Sequence, residues 1–168
     1  MPPRIHPAAA FHSHRFGLVQ PRGDVCADSA IRATSALVAL PGWEPGFSEV
    51  WDFRFAGTFT VHPSSIPGLR QQEVTLREEL AGSETLLITG GRPLIAYAAR
   101  FYDRLLRPFG RSARACTCPS EACALLGVDR IPDLLRRTHP TPPQVREPSP
   151  RRVAGPRRPP GPPGLRGR

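Results

Sequence analysis

The chain has 168 residues, enough for one domain and too few for two full ones. Hydrophobic residues make up 39% of it, so part of the chain folds around a core, while 22 Pro and 15 Gly are nearly double ordinary usage. These totals exclude a collagen, a membrane span and a small disulfide-stapled domain; the net charge of +9 rests on 23 basic residues that are all Arg, a bias of GC-rich genomes.

Residues 1–14 (MPPRIHPAAAFHSH) show no periodic pattern and are expected to be poorly ordered. Pro2, Pro3 and Pro7 interrupt any continuous apolar run of signal-peptide type. No stretch reaches 18 apolar residues, so no membrane span is expected. The expectation is a cytoplasmic protein with reduced thiols.

Residues 15–137 change pattern repeatedly. Arg15–Gln20 reads as a strand, closed by a turn at Pro21-Arg22-Gly23-Asp24. Ala27–Leu40 reads as a helix, with Ala30, Ala33, Leu37 and Leu40 on one face. Pro41-Gly42 stops it. Glu49–Phe55 (EVWDFRF) alternates bulky and charged groups as a strand does, and Thr58–Val61 continues it past Gly57. Ser64 and Ser65 offer a helix start, with Pro67 in the first turn. Ile66, Leu69, Glu73, Leu76 and Leu80 form one helical row, Glu73 and Arg77 pair on its flank, and Gly82 ends it. Thr85–Thr89 (TLLIT) is an apolar strand fit for the middle of a covered sheet. Gly90-Gly91 turns the chain into Pro93–Phe109, the clearest helix, with a wide apolar stripe opposite Arg100, Arg104 and Arg107. Ser112–Thr117 is a last strand, Glu121–Leu126 a short helix stopped by Gly127, and Ile131–Arg137 a final helical turn.

Strands alternating with helices predict an α/β fold: a single, mostly parallel sheet of four to five strands with packed helices, to which the leading segment can add an antiparallel edge strand. Residues 138–168 hold 10 Pro, 7 Arg and one acid, and therefore carry +6 of the net charge. With so few apolar side chains this stretch cannot offset the entropy of ordering, and it is expected to be a disordered basic tail.

Three stretches resemble a family. PGWEPGFSEVWDFR (41–54), LLITGGRPLIAYAARFYDRLL (86–106) and EACALLGV (121–128) resemble short, uncharacterised bacterial α/β proteins with a fold like STAS domains and the anti-sigma-factor antagonist SpoIIAA. Trp43, Pro45, Gly46, Asp52 and Arg54 match the first motif. Ala96, Ala99, Phe101 and Tyr102 match the second; Glu121, Ala122, Leu126 and Gly127 match the third, with Leu125 where that family often has Trp. The resemblance spans residues 16–130. Its motifs are of the packing type and hold no catalytic signature. STAS-like antagonists carry a phosphorylatable Ser in an Asp-Ser-Ser/Thr-Gly loop, and Ser64 and Ser65 stand at a comparable place. Here His62-Pro63 replaces the Asp and Ile66-Pro67 the Gly, so that kinase site is not reproduced, and phosphorylation of Ser64 or Ser65 is a minor expectation beside an interaction role for the loop.

The residues by themselves offer few chemical motifs. Cys116, Cys118 and Cys123 form C-x-C-x4-C, which lacks the spacing and fourth ligand of a structural zinc site; the reading is thiols, with no metal and no cofactor. No catalytic set of Ser, His and Asp stands at recognisable spacing. The turn Gly90-Gly91-Arg92 opens a helix after a strand, where free N–H groups can meet an anion. With Arg54 and Thr89 it defines the expected ligand crevice, at the carboxyl end of the sheet. The leading expectation is a non-enzymatic regulatory or protein-interaction module, its unidentified protein partner meeting the Ser64–Gly68 loop and the exposed side of the second and third helices. The alternatives are a small anionic-ligand or lipid-binding domain and weak, nonspecific nucleic-acid association through the Arg-rich tail.

Overall fold

A computed structural model describes residues 5–129, with side chains from residue 10 onward. The chain divides into two units, Met1–Thr138 and His139–Arg168. The second unit, and the expected turn at Ile131–Arg137, lie outside the described residues.

Five strands form one sheet in the order β1-β2-β4-β6-β7: β1 (Ile5–Phe11), β2 (Phe16–Pro21), β4 (Ser48–Asp52), β6 (Glu84–Ile88) and β7 (Ser112–Cys116). β2, β4, β6 and β7 run parallel, and β1 is the antiparallel edge. β3 (Gly23–Cys26) and β5 (Ala56–Thr60) make a separate two-stranded parallel ribbon. The helices are α1 (Ala27–Val38), α2 (Ile66–Thr75), α3 (Pro93–Leu106) and α4 (Pro119–Leu126).

The strand order advances in one direction from β2 to β7. Parallel crossovers share one hand, so such an order lays every crossover helix on the same side. The packing agrees. Ala33 and Leu37 of α1, Leu69 of α2, and Ile95, Ala99 and Leu106 of α3 join Val19, Trp51, Leu87 and Ala113 on one face of the sheet. α4 follows the last strand and turns to the other face, where Ala122 and Cys123 meet Phe16, Leu18, Val50, Leu86, Ile88 and Cys116. Alternation along each strand sorts the two sets, because successive side chains point to opposite faces. Gly17 is needed where α1 crosses β2: a Cβ there would come within 2.7 Å of Leu37 Cδ1 and of the Trp43 ring.

Four local readings differ from the sequence expectation. Ile5–Phe11 is not irregular; it pairs along β2, and the ladder shifts register between Pro7 and Ala9, at an edge where a proline is tolerated. The antiparallel edge is therefore this segment, whereas Phe16–Pro21 is an inner strand. Thr58–Val61 does not extend β4: a 3-10 turn at Phe53–Phe55, begun by the Asp52 carboxylate accepting from the Arg54 N–H, diverts the chain into the ribbon. The Pro21–Asp24 turn is likewise replaced by β3, whose Asp24 carboxylate accepts from the Thr58 N–H (3.1 Å) and hydroxyl (2.7 Å). Finally, α2 stops at Thr75, well before Gly82.

Candidate functional site

The three crossover helices do not close over their side of the sheet. A cavity of about 390 Å3 remains between α1, α2, α3, the β3–β5 ribbon and the middle of the sheet. This is within the range of small-molecule sites, roughly 300–1,000 Å3. Its wall is aromatic: Trp51, Phe53, Phe59, Tyr97, Phe101 and Tyr102 all line it. Trp51 and Phe53 stack with ring centres 5.8 Å apart, and Phe59 of the ribbon meets Phe53 edge-on at 5.4 Å. Leu94 and Tyr97 stand at the mouth, 58% and 70% exposed.

The ribbon is fastened rather than loose. The Arg92 guanidinium, at the start of α3, donates to the carbonyls of Ala56 (2.7 Å), Gly57 (2.5 Å) and Phe53 (3.4 Å). On the far side, Gln72 of α2 donates to the Ile31 carbonyl of α1 at 2.7 Å.

A buried charge network adjoins the cavity. Arg111, just before β7, donates from Nη1 to Glu73 Oε2 at 2.5 Å and from Nη2 to Glu49 Oε2 at 2.6 Å. All three side chains are almost wholly buried. Thr85 Oγ1 donates to Glu49 Oε2 at 2.9 Å and accepts from Arg111 Nη2 at 3.1 Å. Tyr102 Oη donates to Glu73 Oε1 at 3.1 Å. Burial raises the pKa of Glu73 above its ordinary value, against the opposing pull of Arg111. Burial and the nearby carboxylates push the Tyr102 phenol well above its ordinary value. For Arg111, burial works against the charge, but Glu49 and Glu73 outweigh it and raise its pKa. Glu49 Oε1 and Arg111 Nε have no hydrogen-bond partner among the described residues.

The crevice expected from sequence lies elsewhere, at the carboxyl ends of β4 and β6. Arg54, Thr89 and Gly90 do come together there: Gly90 has φ +60°, and a Cβ on it would stand 3.0 Å from Arg54 Cγ. Several of their donors are used within the protein. The Arg54 guanidinium holds Asp52 with two bonds of 2.8 Å, and Gln20 also donates to that buried carboxylate. The Gly90 N–H meets the Thr117 carbonyl, the Gly91 N–H meets Thr89 Oγ1, and the Arg92 N–H meets the Thr89 carbonyl. Ser64 and Ser65 form the 3-10 turn Pro63–Ser65 that leads into α2, beside Pro63 and Ile66 at the cavity. Cys116 is buried, its thiol pushed up to about 11 by that burial, whereas Cys118 is exposed. Among the described residues no three His, Cys, Asp or Glu side chains are grouped to hold a metal ion.

Sequence reasoning missed the charge network. Glu73 gave one signal, as the single acid on the apolar row of α2. Arg111 gave none, because it lies in the short connection before β7.

No family model and no curated protein matches this chain. Among solved structures, the chain is similar to an uncharacterized protein of the DUF3478 family with a SpoIIAA-like fold from Shewanella loihica PV-4. The identity is 13%, the TM-score 0.46, and the match covers 74% of this chain and 91% of that one. No helix among the described residues is long and apolar enough to cross a membrane.

Proposed function

We propose that this domain binds a small apolar molecule in the cavity beneath the β3–β5 ribbon. The observation that carries the reading is the cavity itself: about 390 Å3 of space bounded by six aromatic side chains, on a protein whose opposite sheet face is buried under α4. A void of that size forfeits the dispersion contacts that its lining would otherwise make, so a ligand that fills it is stabilised by those contacts and by burial of apolar surface. The role is binding, which is the lipid-type alternative of the sequence reading.

The test is a fluorescence titration with N-phenyl-1-naphthylamine, an uncharged apolar probe. Saturable binding at one probe per chain is expected. Ala98→Trp, on α3, places a large ring in the cavity and should weaken binding at least tenfold. Equal affinity in wild type and Ala98→Trp would show that the probe binds elsewhere.

A second reading uses the mouth of the same cavity to meet a protein partner, as in a STAS-like interaction module. The exposure of Leu94 and Tyr97 favours it, as does the Ser64–Ser65 turn, whose neighbours Pro63 and Ile66 line the same cavity. Ser64→Ala combined with Ser65→Ala should then weaken capture of that partner while leaving probe binding unchanged.

A further inference from the structure

The cavity is apolar along its wall but not at the end that meets the charge network. Thr85 and Tyr102 belong to both: each lines the cavity, and each is hydrogen-bonded to a buried carboxylate. The direction of those bonds decides what the cavity sees. A hydroxyl has one proton and two lone pairs. Thr85 spends its proton on Glu49, and Tyr102 spends its proton on Glu73. What either hydroxyl has left for a ligand is a lone pair, an acceptor.

The charge behind them has the same sense. Two carboxylates, Glu49 and Glu73, share one guanidinium, that of Arg111. With both ionised the cluster carries one excess negative charge, in surroundings that screen it poorly. Thr85 and Tyr102 stand between that excess and the cavity. A negative head placed there would meet lone pairs and a like charge together, and lose its hydration as well. A donor head would gain a hydrogen bond and sit on the favourable side of the field.

Resting on the cavity reading above, we propose that the ligand is amphipathic: an apolar body along the aromatic wall, and a head that donates a hydrogen bond to Thr85 Oγ1 or Tyr102 Oη and bears no negative charge. Long-chain alcohols and amines belong to this class. Ionised fatty acids are excluded by the same geometry.

Titration calorimetry with 1-octanol, octylamine and octanoate at pH 7.5 tests this, since the three share a chain and differ in the head. The alcohol and the amine should each bind at least tenfold more tightly than octanoate. In Tyr102→Phe and in Thr85→Val the gap between 1-octanol and octanoate should narrow, because one acceptor is gone. Octanoate binding as tightly as 1-octanol to the wild type overturns the donor-head proposal and leaves the cavity reading standing. An unchanged preference in both variants also overturns it. No binding of any of the three overturns the cavity reading itself.

Discussion

The two faces of the sheet are built from the same strands and end up different. On the α4 face, β2, β4 and β6 present Phe16, Leu18, Val50, Leu86 and Ile88, and the helix closes down on them through Ala122 and Cys123. On the other face the same β4 and β6 present Glu49 and Thr85 beside Trp51 and Leu87. Three helices and a ribbon stand over that side and still leave a cavity. A fold requires the first arrangement. The second costs stability, since it carries unfilled space and buried charge. Such a cost is typical of a functional site.

The largest loss is expected at Arg111, on the open face. Arg111→Leu leaves Glu49 and Glu73 buried without a counter-charge and should destabilise by about 3–5 kcal/mol in denaturant unfolding. On the filled face the largest effect comes from removing volume: Leu86→Ala should cost about 2–5 kcal/mol. Adding volume separates the faces more sharply. Ala122→Leu, in the filled core, should cost about 1–3 kcal/mol by overpacking, whereas Ala98→Leu should be neutral or stabilising because it grows into free space. Equal losses from the two would mean that the faces are packed alike.

Acid sharpens the contrast at Glu73, which faces Arg111, Tyr102 and Glu49. Its carboxyl has a raised pKa in the folded state, so the folded chain holds that proton more tightly than the unfolded chain does. The resulting stabilisation is fully present below the unfolded value, about 4.3, and is lost as pH rises through the higher folded value. Wild type minus Glu73→Gln stability should therefore increase as pH falls through that window. A difference that shrinks toward acid would contradict the assignment. The smallest effect belongs to the exposed pair of Arg107 with Asp103 (2.8 Å, i,i+4): Arg107→Ala should cost no more than about 0.5 kcal/mol.

Much of the fold was legible in the sequence because its signals are local. TLLIT reads as a covered strand, and the stripe of α3 and the Pro41-Gly42 stop of α1 need no partner to be seen. The ribbon was not legible, since β3 and β5 are short and are separated by residues 27–55 of the chain. β1 escaped notice because its pairing with β2, not its composition, makes it a strand. For the site, the aromatic residues were visible but the cavity was not. Space is a property of how three helices and a ribbon are held apart, and no window of sequence contains it. The Gly90-Gly91-Arg92 turn shows the converse. Its donors look free in sequence, yet in the fold they are tied to Thr89, Thr117 and the ribbon carbonyls.

The most direct test is a backbone NMR titration with 1-octanol, following both faces in one sample. Shifts should concentrate at Trp51, Thr85, Ala98, Phe101 and Tyr102, while Leu18, Ala122 and Cys123 stay in place. Shifts spread equally over the two faces, or none at saturating alcohol, would contradict a ligand site on the open face.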